Sequence, residues 1–122
     1  MVKRDANWGL RRARKNGLRV VEPKRNELQI DIDGSAELAI FRQQWSILEK
    51  AGITKTWAFS ISPSKRPGKF HVTVTIQGCD ITNINRVCLQ AILGSDIRRE
   101  AFNLCRVLNG NKYPIVFFER AK

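Results

Sequence analysis

Two aspartates separated by a single residue stand in the alternating segment 28–34, Leu-Gln-Ile-Asp-Ile-Asp-Gly. Side chains alternate across a β-strand, so the apolar residues of the segment point one way, and Gln29, Asp31 and Asp33 point the other way. Neighbouring carboxylates repel and raise each other's pKa unless a positive group lies between them. A divalent cation is one solution, because Mg²⁺ typically takes one or two protein carboxylates plus substrate phosphates. The alternative is a polar strand end with two solvated acids, since Asp is common before a Gly-Ser turn.

The charge of the chain points to a polyanionic partner. In its 122 residues, 22 Lys and Arg against 11 Asp and Glu give a formal net charge of +11. Such an excess is typical of proteins that bind nucleic acid. The length suits one domain with a single modest core. We therefore expect a globular, single-domain nucleic-acid-binding protein.

The cysteines and the hydropathy pattern predict where the protein resides. No window approaches the ~18 apolar residues of a membrane span, and the N-terminus lacks a signal-peptide pattern, so we expect a cytoplasmic protein that does not bind membranes. Cys79, Cys88 and Cys105 form no CxxC pair, and with one histidine in the chain they argue against a zinc site. Cys88 and Cys105 fall in apolar helical patterns, which predicts buried free thiols in a reducing compartment.

A basic N-terminal arm, residues 1–25, is expected to precede a core domain at 26–122. A short helix over Ala6–Lys15 is predicted within the arm. The arm could follow the phosphates of a nucleic acid, or it could be a solvated charge run. The candidate nucleic-acid contacts in the arm are Arg11, Arg12, Arg14 and Lys15.

The core is predicted to have the element order β-α-β-β-α-α-β. After the acidic strand, a helix from Ser35 to about Ala51 buries one face, consisting of Leu38, Phe41, Trp45 and Leu48. The alternating segments Thr56–Ser62 and Phe70–Ile76 form a hairpin with a long basic loop. Two further helices are expected from about Thr82 to Leu93 and from about Asp96 to Leu108, the second packed by Phe102, Cys105 and Leu108. A closing apolar strand is expected over Ile115–Phe118.

This order predicts an α+β fold of the RRM-like or ferredoxin-like plan, with one antiparallel sheet, helices on one face and an open polar face. The open face would collect Gln29, Asp31, Asp33, Ser60, Ser62, His71, Thr73 and Thr75. An RNA-binding RRM needs aromatic residues there, whereas the outward positions at the start of the segment Phe70–Ile76 are Lys69 and His71. A relaxase-type initiator needs paired histidines and a Tyr nucleophile, but this chain has one His and one Tyr. An acid pair opposite a histidine and a Ser/Lys/Arg loop favours metal-assisted phosphate chemistry.

Two motifs together resemble the archaeo-eukaryotic primase superfamily, also called primase-polymerases. They are hydrophobic-Asp-hydrophobic-Asp and, later, Ser-x-Ser-Lys-x-x-Gly-Lys-Phe-His-Val, and the resemblance covers roughly residues 26–120. In that family the first motif holds the catalytic Mg²⁺ or Mn²⁺ ions, and the second contacts the phosphates of the incoming nucleotide. The resemblance therefore implies Asp31 and Asp33 as metal ligands. The implied nucleotide-binding residues are Ser62, Ser64, Lys65, Arg66 and His71.

A third segment, Leu93–Arg99, looks like the Gly-Asp-Asp-Pro-x-Arg-type segment of small viral, phage and plasmid members. It implies Asp96 as a third catalytic acid and Arg98 or Arg99 as phosphate or template contacts. The family's third motif is normally an Asp on a strand, whereas Asp96 stands where a helix N-cap belongs, so a capping role is the alternative. Without a zinc module or helical accessory domain in this sequence, we expect a minimal catalytic core.

The resemblance implies a metal-dependent nucleotidyltransferase that uses nucleoside triphosphates on a single-stranded template, as in primer synthesis for DNA replication, with a replication helicase as a possible partner. Two alternatives stay open. One is a non-catalytic module of the same fold that binds single strands without metal or nucleotide. The other is a metal-dependent nuclease that uses the same face.

Overall fold

A computed structural model describes residues 15–64, 66–111 and 114–120 of the chain. Within these residues the class is α+β, as predicted, and no helix there has the length and apolar character needed to cross a bilayer. The elements in chain order are β1 (Leu18–Val21), β2 (Glu27–Ile32), α1 (Ser35–Lys50), β3 (Trp57–Pro63), β4 (Phe70–Ile76), α2 (Asn83–Ile92), α3 (Ile97–Leu108) and β5 (Phe117–Arg120).

The central sheet is antiparallel and has the strand order β2-β4-β3. The predicted hairpin of β3 and β4 is confirmed, with Ile61 opposite Val72. On its other side β4 pairs with β2, so that Ile30 also lies opposite Val72. Both pairings place apolar residues on one face, because alternation fixes the register wherever one face is buried.

The core lies between this apolar face and α1. Ile30, Val72 and Phe41 of α1 are fully buried there. The Phe41 ring meets that of Phe59 edge-on, with centroids 5.1 Å apart. The predicted apolar stripe of α1 is confirmed, because its four members belong to or pack against this core: Leu38, Phe41, Trp45 and Leu48.

The expectation of a single sheet is wrong. β5 does not join β2 but pairs with β1 in a separate two-stranded antiparallel sheet, with Val21 opposite Phe117. β5 also begins at Phe117, two residues later than the predicted strand Ile115–Phe118, and Ile115 is buried ahead of it. β1 lies within the range that the sequence assigned to the basic arm.

The edge of β2 that faces away from β4 is hydrogen-bonded by α2, α3 and the turn between them. They contribute side chains and one backbone amide. Such partners are needed because the unpaired amides and carbonyls of a buried strand edge are costly. Two amides of β2 donate to side chains: Gln29 to Gln90 (2.7 Å) and Asp31 to Ser95 (3.0 Å). Three carbonyls of β2 accept: Asp31 from the Asp96 amide (2.8 Å), Gln29 from Arg99 (2.7 Å) and Glu27 from Arg86 (2.8 Å).

Because of this edge, α3 turns its polar side toward β2, opposite to the predicted orientation. Glu100 and Asn103 are 2% and 1% exposed, whereas Phe102 and Leu108 are 63% and 68% exposed. The prediction that Phe102, Cys105 and Leu108 pack the helix is therefore wrong, and so is the prediction of buried thiols, since Cys88 and Cys105 are exposed. The side of α3 that faces β2 must supply hydrogen bonds, and buried polar groups without partners are costly.

The polar face of the central sheet is open only in part. Ser60 and Ser62 on β3 are exposed, but Gln29 and His71 are only 2% and 8% exposed. Gln29 donates from Nε2 to the carbonyl of Val21 in β1 at 2.9 Å, and Phe117 lies flat on the His71 ring. The two-stranded sheet thus covers the face over β2 and β4, which corrects the expectation of a fully open surface.

Candidate functional site

A cleft of about 270 Å³ lies where the end of β2, the β3–β4 loop, α3 and the start of β5 meet. We call it the acidic-basic cleft, because carboxylates and cations both line it. Seven residues that the sequence singled out as site residues line it together: Asp31, Asp33, Ser64, Arg66, His71, Asp96 and Arg99.

Asp31 and His71 are brought together by strand pairing. They are direct partners in the β2–β4 register. The Asp31 Oδ1 atom lies 3.8 Å from His71 Nε2, and the Asp31 side chain is 30% exposed. The His71 ring is held parallel to Phe117, with centroids 3.9 Å apart and an interplanar angle of 1°. The Asp31 amide and carbonyl are hydrogen-bonded to Ser95 and to the Asp96 amide at one edge of β2, and β2 pairs with β4 at its other edge, so both groups occupy fixed positions in the cleft.

Asp33 follows β2 directly and forms an ion pair with Lys69. Lys69 Nζ lies 2.6 Å from Asp33 Oδ1, and the Asp33 side chain is half exposed. The hydrogen bond from Lys69, and next the charge of Lys69, lower the pKa of Asp33, and Arg66 and Arg98 act in the same direction. Lys69 is thus a positive group beside one member of the acid pair, and its charge offsets the repulsion between the two aspartates.

Asp96 caps α3. Its carboxylate accepts a hydrogen bond from the amide of Arg98 at 3.0 Å, while its own amide donates to the Asp31 carbonyl. The capping alternative therefore has direct support, although Asp96 also lines the cleft. Among the residues that the structure describes, no group of three or more His, Cys, Asp or Glu side chains is arranged to hold a metal ion.

Arg99 connects the cleft to a buried polar network. Its guanidinium donates to Glu100 Oε2 and to the Gln29 carbonyl, both at 2.7 Å, and lies 4.8 Å from the centroid of the Phe117 ring. Burial lowers the pKa of Arg99, and the charges of Glu100 and Asp31 oppose that shift. Glu100 in turn accepts from Gln90, Ser95 and Asn103. Arg99 is therefore fixed in place, and it adds positive charge behind Asp31.

The remaining predicted site residues lie elsewhere. Ser62 is exposed on β3, outside the cleft lining, and donates to the His71 carbonyl at 3.4 Å. Arg98 and Lys15 are exposed and do not line the cleft. Four predicted residues fall outside the described part of the chain: Arg11, Arg12, Arg14 and Lys65.

The structure adds cleft residues that sequence reasoning did not assign to the site: Lys69, Phe102, Asn103, Arg106, Val116 and Phe117. Lys69 had a signal, because it precedes Phe70 and His71 within the basic loop motif. Phe102 and Arg106 follow Arg98 at helical spacing, but a sequence pattern does not tell which face of α3 meets the cleft.

The two carboxylates of the cleft fit a divalent cation that takes only some of its ligands from the protein. Asp31 lies on β2 and Asp33 directly follows it, and both carboxylates line the cleft. Mg²⁺ commonly binds one or two carboxylates and completes its shell with water and phosphate oxygens. Binding at Asp33 would require Lys69 to release its oxygen, which the partial exposure of this ion pair permits.

Comparison of the chain with protein-family models, with curated proteins and with solved structures found no match in any of the three. The case for a function therefore depends on the geometry and charge of the cleft.

Proposed function

We propose that the acidic-basic cleft binds the triphosphate of a nucleotide and supports metal-dependent nucleotidyl transfer on a single-stranded nucleic-acid template, as in primase-polymerases. One observation carries the proposal. Strand pairing sets Asp31 beside His71, and the same cleft contains Asp33 with the cations Arg66 and Lys69. Carboxylates for a cation next to donors for phosphate are what phosphoryl transfer needs from a protein.

The strand order supports an RRM-like origin for the sheet. In β2-β4-β3 the hairpin strand β4 lies between the two strands that α1 connects, which is a split β-α-β unit. We propose that α2 and α3 occupy the position of the fourth strand beside β2. Their side chains and the Asp96 amide provide hydrogen bonds that such a strand would make.

The roles follow from the chemistry of each group. Asp31 and Asp33 would hold Mg²⁺ or Mn²⁺, which when bound lowers the pKa of a 3′-hydroxyl and stabilises the leaving pyrophosphate. Arg66 and Lys69 would bind phosphate oxygens by charge-assisted hydrogen bonds. An ammonium group has three donors, so Lys69 can turn from Asp33 to phosphate. His71, held flat on Phe117, presents its ring nitrogen beside Asp31.

Charge balance makes nucleotide binding depend on the cation. Three carboxylates line the cleft, at Asp31, Asp33 and Asp96. Four cations also line it, but Lys69 is paired with Asp33 and Arg99 with Glu100, which leaves Arg66 and Arg106 against Asp31 and Asp96. A metal ion on Asp31 and Asp33 would add the positive charge that attracts a triphosphate. Nucleotide binding is therefore expected to need Mg²⁺ or Mn²⁺.

Calorimetry on the full chain tests this proposal. Mn²⁺ and Mg²⁺ are titrated with and without a nucleoside triphosphate into the wild type, Asp31→Asn and Asp33→Asn. Asp80→Asn is the matched control, because Asp80 is an exposed acid outside the cleft lining. We expect metal-dependent nucleotide binding in the wild type and the control, its loss in both cleft variants, and template-directed extension that follows the same pattern. Activity retained in Asp31→Asn and Asp33→Asn would contradict the proposal.

The ion pair between Lys69 and Asp33 favours a second candidate, a module of this fold that binds single strands without catalysis. A lysine that neutralises one of the two acids leaves less need for a cation. This candidate predicts salt-sensitive binding to single strands in EDTA, with no effect of metal or nucleotide. Cleavage of the strand in the extension assay would instead identify a nuclease.

A further inference from the structure

Phe102 is the exposed aromatic residue of the cleft. The residue is 63% exposed and lines the cleft. The other aromatic ring there, Phe117, belongs to a residue that is only 4% exposed, because it is stacked against His71. A single exposed apolar residue needs no explanation. Phe102 differs from other exposed apolar residues because a cation lies one helical turn away on either side.

Arg98, Phe102 and Arg106 stand four residues apart on α3 and therefore share one face of the helix. Successive members are separated by about 6 Å along the helix axis. Both arginines are exposed. Arg106 lines the cleft with Phe102, whereas Arg98 lies outside the lining, so the row continues beyond the cleft. We call these three residues the α3 ladder.

The other exposed apolar residues of α3 have no such setting. Ile97, Leu104 and Leu108 are exposed, but none of them lines the cleft. Within α3 their neighbours at a spacing of four residues are uncharged, apart from Glu100 beside Leu104. The combination of an aromatic ring with a cation on either side is thus confined to the face of α3 that meets the cleft.

We infer that the α3 ladder is a binding track for single-stranded nucleic acid, in which Phe102 stacks on a base while Arg98 and Arg106 hold the flanking phosphates. Aromatic stacking between phosphate-binding cations is the general means by which proteins hold single strands, and it needs an unpaired base. A strand has a phosphate on each side of a stacked base, which matches the two arginines on either side of Phe102, so a strand is a better occupant than a free nucleotide. The inference deepens the proposed function, in which this strand is the template.

Fluorescence anisotropy of a labelled oligothymidylate, measured with the full chain in EDTA, tests the track. We expect Phe102→Ala to weaken binding by about 5- to 150-fold, the range for loss of one base stack. Phe102→Tyr keeps a ring and is expected to bind like the wild type. Leu108→Ala is the matched control, since it shortens an equally exposed residue of the same helix outside the cleft. Circular dichroism checks that each variant is folded.

The salt dependence separates stacking from charge. Arg98→Ala and Arg106→Ala are each expected to lower the slope of log K against log salt by about 0.7, whereas Phe102→Ala leaves the slope unchanged. Wild-type affinity in Phe102→Ala, or an equal loss in Phe102→Tyr or in Leu108→Ala, would overturn the inference. Because the assay contains neither metal nor nucleotide, it can succeed even if Asp31 and Asp33 bind no cation. Conversely, metal-dependent nucleotide binding without any effect of Phe102 would reject only the track.

Discussion

Lys69 and Asp33 form an ion pair across the cleft, with Nζ 2.6 Å from Oδ1. Lys69 immediately precedes β4 and Asp33 immediately follows β2, so the antiparallel pairing of these strands brings the two residues together. If the cleft uses a cation, Lys69 has two opposing effects. It competes with the cation for Asp33 and, once displaced, it binds the phosphates that accompany the cation.

Replacement of Lys69 by methionine should therefore change two affinities in opposite directions. In Lys69→Met we expect tighter binding of Mn²⁺ alone, because the competing ammonium group is gone. We expect weaker binding of the nucleotide in the presence of Mn²⁺, because a phosphate donor is lost. Calorimetry with and without nucleotide measures both affinities. Lys50→Met, at the exposed end of α1, is the control. If both affinities fell together, Lys69 would have no competing role at Asp33.

The same ion pair predicts a pH dependence at Asp33. Lys69 lowers the pKa of this carboxyl below its ordinary value of 3.8. A carboxyl with a depressed pKa in the folded state contributes stability above its unfolded pKa, and this contribution is lost as the pH falls through the folded value. NMR titration of the carboxyl carbons should find Asp33 below 3.8 in the wild type and closer to 3.8 in Lys69→Met. The free energies of unfolding of the wild type and Lys69→Met, measured in urea, should converge at pH values below the Asp33 pKa. An Asp33 pKa that does not change in Lys69→Met would refute this assignment.

His71 combines packing with a ring nitrogen beside Asp31, and two substitutions separate these contributions. His71→Phe keeps a flat ring against Phe117, whereas His71→Ala removes it. We expect His71→Ala to be less stable than His71→Phe by at least the ~0.5–1.5 kcal/mol of an aromatic pair. Urea denaturation measures this difference. Metal-dependent nucleotide binding should be weakened in both variants, since neither has the nitrogen. Unchanged nucleotide binding in His71→Phe would limit His71 to packing.

Local patterns predicted β2, β3, β4 and α1 well. The alternation of Leu28, Ile30 and Ile32 fixed which face of β2 is buried, and the same alternation put Asp31 on the opposite face. Since the hairpin of β3 and β4 was also evident from its alternation, the convergence of Asp31 with His71 and the basic loop could be predicted from sequence alone.

The failures concern long-range partners. α3 has an apolar side that the sequence assigned to the core, yet Glu100 and Asn103 face inward. The reason is the edge of β2, whose need for hydrogen bonds is invisible in the sequence of α3 itself. The pairing of β1 with β5 joins segments near opposite ends of the chain. Each strand has four residues, which is too short for its sequence pattern to indicate the pairing. Because of these two errors, the sequence did not place Phe102 and Phe117 in the cleft.

The buried pair Arg99–Glu100 provides a stability test of this inward polar side. Glu100 is 2% exposed, and its carboxylate lies 2.7 Å from the guanidinium of Arg99. Glu100→Gln removes the charge that compensates Arg99 in a desolvated position. Breaking a buried pair in this way costs about 3–5 kcal/mol. We expect a loss of that size in the free energy of unfolding, measured in urea with an unchanged m-value.

Two further variants sharpen the test of the buried pair. Glu49→Gln, at an exposed position of α1, is expected to change stability by less than about 0.5 kcal/mol. In the double variant Arg99→Met/Glu100→Gln no buried charge is left without a partner. Its loss of stability should therefore be smaller than the sum of the two single losses, because contacting residues are coupled. Additive losses, or a Glu100→Gln variant as stable as Glu49→Gln, would show that the network beside β2 does not depend on this ion pair.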